Sequence, residues 1–145
     1  MISVQQTPDG NALYLDFPAQ VENIEHMCAR AKEFLVSKNI TTESFAILLV
    51  VREMVNNAVI HGSQLNPHMQ VRVVLTLDEH GVLHIQIQDQ GNGFDWQSRL
   101  QSEVPDSEGC SGRGIRIVQC YADACTYNPS GNIVQIQKKV FVNDQ

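Results

Sequence analysis

Arg52-Glu53-Met54-Val55-Asn56-Asn57-Ala58-Val59-Ile60-His61-Gly62 interrupts an otherwise apolar helical pattern with charge and amide. Phe45, Leu48, Leu49, Val55 and Val59 step along one side of that pattern, with Thr42 as the expected N-cap and Gly62 as the expected stop. A helix so placed sets Glu53 and Asn57 one turn apart, on the side that carries Ala46, Leu49, Val50 and Ile60, and His61 continues the row. A carboxylate and an amide on a largely apolar stripe are costly to bury unless they find partners. On this helix alone a solvated edge and a functional site stand level.

Periodicity on either side fixes the setting. Upstream, Leu13, Leu15 and Phe17 alternate as a strand closed by Pro18, and Val21, Ile24, Met27, Cys28, Ala31, Phe34 and Leu35 then recur at helical steps over 20–38. Downstream, Val71, Val73, Leu75 and Leu77 alternate, Asp78-Glu79-His80-Gly81 turns the chain, and Leu83, Ile85 and Ile87 alternate back as a hairpin. Residues 90–111 carry Gly, Ser, Asp and Gln without apolar period, a long loop for a compact domain. A third helix is expected from Gly112 toward Ala124, followed by strands at 125–128 and 132–142 around Asn128-Pro129-Ser130-Gly131. Helices and strands in this order predict an α/β (α+β) two-layer sandwich with helices on one sheet face, a single domain over 1–145.

Charge and cysteine usage narrow the function classes. Ten Lys and Arg against sixteen Asp and Glu leave a net charge of −6, which argues against direct nucleic-acid binding and supplies no polybasic patch for an anionic membrane. The longest apolar run, Phe45 to Val51, is far short of the ~20 residues of a spanning helix, and no cationic leader with an apolar stretch opens the chain. Cys28, Cys110, Cys120 and Cys125 show no C-x-x-C spacing, so a reduced cytoplasmic setting is expected, with Cys110 in a polar loop and the others as small buried hydrophobes. The five histidines lack metal-ligand spacing.

Two further segments carry candidate chemistry. Asp89 continues the face of Leu83, Ile85 and Ile87, so its carboxylate is expected to point inward at a strand end, and Gln90-Gly91-Asn92-Gly93 follows with two glycines that permit close backbone approach. Gly109-Cys110-Ser111-Gly112-Arg113-Gly114 opens the expected third helix, and such a loop presents backbone N–H groups to a phosphate. Its glycine spacing fits neither a Rossmann fingerprint nor a Walker A loop. Taken singly, each segment also reads as ordinary turn sequence.

In order and spacing the three segments together resemble the Bergerat ATP-binding fold of gyrase, histidine kinases and MutL (the GHKL superfamily), most specifically its anti-sigma-factor serine/threonine kinase branch. Glu53 to Gly62 resembles that branch's N box, Asp89-Gln90-Gly91-Asn92-Gly93-Phe94-Asp95 its first glycine box, and Ser111-Gly112-Arg113-Gly114-Ile115 its second. The resemblance implies a mixed, mostly antiparallel sheet, ATP and Mg²⁺ as cofactors, and an ATP lid at about 94–114. It assigns Glu53 as general base, Asn57 as the Mg²⁺ ligand, and Asp89 as acceptor of the adenine amine. Asn57, His61, Gly91, Gly93, Gly112, Arg113, Gly114 and Ile115 complete the nucleotide site. It further implies a protein kinase that binds a sigma factor or comparable regulator, phosphorylates a STAS-domain anti-sigma-factor antagonist, and forms a homodimer. The alternative is a catalytically weak nucleotide-binding switch that sequesters its regulator without phosphotransfer. Gly131-Asn132-Ile133 departs from the Gly-Thr that many relatives carry near the nucleotide phosphates, so the hydroxyl contact to the phosphates is missing or supplied by Asn132.

Overall fold

The structure, a computed structural model, describes residues 2–91 and 121–142. Strands β1 (Ser3–Gln6) and β2 (Ala12–Pro18) precede helices α1 (Glu22–Ser37) and α2 (Ser44–Asn56). A π-helical turn (Asn57–Gly62) extends α2, and β3 (Gln70–Leu77), β4 (Val82–Asp89), β5 (Ala124–Tyr127) and β6 (Ile133–Lys139) follow. The strands form one sheet in the order β1-β2-β3-β4-β6-β5, and every pairing among them is antiparallel.

Period-2 alternation turns this register into apolar rows on one face. Leu13, Leu75, Ile85 and Ile136 lie side by side across β2, β3, β4 and β6, and Leu15, Val73, Ile87 and Val134 form the next row. The third row runs from Phe17 through Val71 to Asp89. Helices α1 and α2 cover this face, with α1 against β2 and α2 against β4. Val51, Val55 and Val59 are fully buried there, each stabilising the fold by about 1.5–3 kcal/mol relative to exposure. The opposite face is polar: Asp16 pairs with Arg72, whose guanidinium also lies over the Tyr14 ring, and Gln86 accepts a hydrogen bond from Gln135.

Several expectations change. Strand β1 has no apolar alternation and is exposed at every position, so nothing in Ser3–Gln6 announces an edge strand. Helix α2 begins at Ser44 rather than from a Thr42 cap, and Glu43 at its N-cap makes no side-chain capping bond. The helix does not stop through a left-handed glycine at Gly62. It widens into a π turn, with Ser63 N–H donating to the Ala58 carbonyl, and the left-handed residues are Gln64 and Leu65. Ile60, expected on the stripe of Glu53 and Asn57, is exposed in this turn while those two are buried. Cys28 is buried as expected, whereas Cys125 is exposed. Ser44–Gly62 has the length and mean hydropathy (1.3) of a spanning helix, yet its valines form the core between α1 and the sheet. The 94–114 lid, Cys110 and the expected third helix up to residue 120 lie outside the described residues, and Ala124, the expected end of that helix, opens β5 instead.

Candidate functional site

The third core row ends in a charge. Asp89 stands opposite Val71, where a fourth strand's apolar side chain would otherwise sit, and is only 4% exposed. Burial pushes its carboxyl above the usual carboxylate range, and the Gly91 N–H, donating to Oδ1 at 2.8 Å, opposes that shift.

Two glycines make room for this carboxylate. A Cβ on Gly62 would lie 2.2 Å from Asp89 Oδ2 and 2.6 Å from its Cγ, so the π turn touches the acid through its bare Cα. A Cβ on Gly91 would lie 1.9 Å from the Gly62 carbonyl oxygen, a backbone atom that no rotamer can move. Glu53-to-Gly62 and Asp89-to-Gly91, far apart in the chain, are thus locked together through Asp89. The π turn begins at Asn57, and such insertions re-aim side chains at functional sites.

Asn57 faces the same cleft as Asp89. It is 4% exposed, and its Nδ2 is buried with no hydrogen-bond partner. A buried amide donor without a partner is a costly arrangement that a bound oxygen or water would relieve. Glu53 is buried one turn earlier on α2 but does not line the cleft, and His61 is half-buried in the π turn. Arg52 is directed the other way: both terminal guanidinium nitrogens, Nη1 and Nη2, meet the Glu25 carboxylate on α1, which lowers the Glu25 pKa.

Met54, Asn57 and Ala58 form the helix wall of the cleft. Ile87, Asp89, Gly131, Asn132, Val134 and Tyr127 form the sheet wall. The Tyr127 hydroxyl spans the two, donating to Met54 Sδ at 3.3 Å. Tyr127 carries no motif and escapes sequence reading; a bulky aromatic on the core face of an edge strand is its one signal.

Among the sequence-predicted site residues the structure brings Asn57, Asp89 and Gly91 together, sets Glu53 and His61 on the adjoining turns, and adds Gly62 as a spacer. Gly93, Gly112, Arg113, Gly114 and Ile115 lie outside the described residues. An apolar slot with one buried acceptor and one unpartnered amide suits a flat heterocycle bearing an amine, with polar substituents toward Asn57. The donor set also fits Mg²⁺. Asn57 offers a hard carboxamide oxygen, and no cluster of three or more His, Cys, Asp or Glu forms a cage among the described residues, so phosphates and water would complete the shell.

The sequence profile of the histidine kinase-like ATPase domain matches residues 17–138. An anti-sigma F factor of Priestia megaterium is 32% identical over 118 residues, covering 78% of this chain and 80% of that protein. Anti-sigma F factors of Bacillus velezensis and Bacillus subtilis are 29% and 28% identical over 136 residues, covering 88% of this chain and 92% of each relative.

Proposed function

The chain belongs to the histidine kinase-like ATPase family, in its anti-sigma-factor kinase branch, and on that premise we propose that it is an ATP-dependent protein-serine/threonine kinase that also sequesters a sigma factor. The observation that carries the nucleotide reading is the buried Asp89 carboxylate, held between Gly62 and Gly91 in one cleft with the unpartnered Asn57 amide. Asp89 accepts the adenine amine. The burial of this carboxyl supports the role, because the Gly91 N–H is its one donor among the described residues and a further donor would offset more of its desolvation.

Asn57 would hold Mg²⁺ through its carboxamide oxygen, and the ion would supply positive charge near the phosphates. Glu53 acts as general base. It takes the proton of a serine or threonine hydroxyl as that oxygen bonds to the γ-phosphorus, while the bond from the γ-phosphorus to the β–γ bridging oxygen breaks and ADP departs. Positioning and electrostatics supply most of the rate in such a transfer. Gly91 and Gly93 would let the backbone pass close to the nucleotide, His61 and Ile115 would complete its site, and the family resemblance assigns Gly112, Arg113 and Gly114 to its phosphates.

The acceptor is a STAS-domain antagonist, the second partner is the sigma factor, and the working form is a homodimer in the cytoplasm. Incubation with ATP, Mg²⁺ and a STAS-domain acceptor, followed by intact mass spectrometry, tests the reading. One added phosphate on the acceptor is expected; ATP bound with no added phosphate would leave only a sequestering module.

A further inference from the structure

We propose that Tyr127 is a plug: in the nucleotide-free molecule its phenol bridges the two walls of the cleft, and a purine enters as that side chain swings out to solvent. This inference rests on the nucleotide reading above and adds the step that limits uptake.

Sheet register aims Tyr127 at α2. Tyr127 pairs with Val134, Val134 with Ile87, Ile87 with Val73 and Val73 with Leu15, so Tyr127 ends the second apolar row on the helix-covered face. From there the phenol reaches the helix, where its hydroxyl donates to Met54 Sδ at 3.3 Å. Both side chains line the cleft with Asp89 and Asn57, so their bridge closes the slot that holds the acid and the unpartnered amide.

Space shows that a wall must give way. The cleft leaves open about 10 Å³, room for roughly one water, whereas small-molecule pockets run to about 300–1,000 Å³. Asp89 is wedged between Gly62 and Gly91, and Met54, Ala58, Ile87 and Val134 are buried in longer elements. Strand β5 is different. It is four residues long, lies at the edge of the sheet and exposes Ala124, Cys125 and Thr126, with Tyr127 half-buried. Tyr127 is therefore the wall whose departure disturbs the fold least.

Its bond to the helix is also easily given up. A thioether is a weak acceptor, and a phenol hydroxyl gains less from it than from water. Burial pushes the Tyr127 pKa well above the ordinary tyrosine range, as expected of a hydroxyl taken out of water. Swinging out rehydrates the hydroxyl and exposes the ring, two opposed effects, and strand side chains have two common χ1 positions between which to swing. Nucleotide and phenol compete for one space. The apparent affinity is then the intrinsic affinity scaled by the fraction of molecules with the plug out.

Truncation separates a plug from a wall that holds the base, because removing a wall weakens binding and removing a plug strengthens it. Calorimetry with ATP and Mg²⁺, and stopped-flow mixing with ribose-labelled ATP, are run on the full chain. Tyr127→Ala should bind about ten-fold more tightly than wild type, mostly through faster association. Met54→Leu, which keeps the packing volume and deletes the sulfur acceptor, should gain about two- to three-fold. In fluorotyrosine-labelled protein with tyrosine 127 intact, the fluorine NMR signal of Tyr127, assigned by its loss in Tyr127→Phe, should move to the position of a solvent-exposed tyrosine as ATP saturates. Equal or weaker ATP binding by Tyr127→Ala overturns the plug, and so does a Tyr127 signal that ATP leaves in place. ATP bound by neither wild type nor variant would instead overturn the nucleotide reading on which the plug rests.

Discussion

Replacing Gly62 by alanine sets two physical rules against each other. Gly62 has no positive φ, so a helix-propensity view expects alanine to stabilise the protein by about 0.5–1 kcal/mol. The packing predicts the opposite. The new methyl would stand 2.2 Å from Asp89 Oδ2, 2.6 Å from Cγ and 2.9 Å from Oδ1, more than 1 Å inside ordinary contact with Oδ2. The carboxylate cannot retreat freely, since Oδ1 is tied to the Gly91 N–H and the Gly91 Cα is itself pressed against the Gly62 carbonyl. Overpacking of this kind costs about 1–3 kcal/mol, so a net loss of about 1–2 kcal/mol remains after the propensity gain. For a domain of this size that lowers Tm by roughly 3–8 °C. A displaced Asp89 also loses a charge-assisted hydrogen bond to adenine, worth about 1.5–3 kcal/mol, or roughly 10- to 150-fold in ATP affinity. Thermal unfolding by circular dichroism without nucleotide, paired with calorimetry of ATP binding, reads both quantities. A Tm equal to or above the wild type together with unchanged ATP affinity would refute the spacer role of Gly62.

Other outcomes follow from the same geometry. Glu53→Ala should retain ATP affinity while adding no phosphate to a STAS-domain acceptor, as read by intact mass; continued transfer would remove Glu53 as the base. Asp89→Asn should weaken ATP binding yet stabilise the nucleotide-free protein. A carboxyl whose folded pKa is raised by burial binds its proton more tightly when folded, so it favours the native state at low pH and loses that contribution as pH rises from about 3.8 through the folded value. The difference in Tm between wild type and Asp89→Asn should therefore grow with pH across that window, and a flat difference would refute the desolvated carboxylate. Arg52→Gln should leave ATP affinity unchanged, because its guanidinium is held by Glu25 on α1; a tenfold loss would place that charge in the site.

The parts legible in the sequence are those where periodicity and burial coincide. Leu13, Leu15 and Phe17, and Val71 to Ile87, alternate because one sheet face is covered and the other is wet, so the hairpin and the inward Asp89 could be read directly. Asn57 and Glu53 stood out as polar residues on a buried stripe. The π turn could not be read, since Asn57–Gly62 has the composition of any helix and the extra residue is fixed by its fit against Asp89. For the same reason Gly62 passes for a helix stop: sequence shows that a glycine is present, and only the neighbouring carboxylate shows why. Strand β1 gave no signal because an exposed edge needs no apolar alternation. Asn128 and Asn132 frame an ordinary turn sequence, and their mutual orientation depends on backbone donors that only the folded register supplies.

The row from Phe17 through Val71 stops at Asp89, and a bound purine would lie where the next apolar side chain is missing. In such a molecule the nucleotide is the last piece of the core, so occupancy and lifetime become one variable. The fraction of chains open to a protease should fall in proportion to one plus the nucleotide concentration divided by its Kd. A cell short of ATP would then lose this regulator by turnover as well as by idleness.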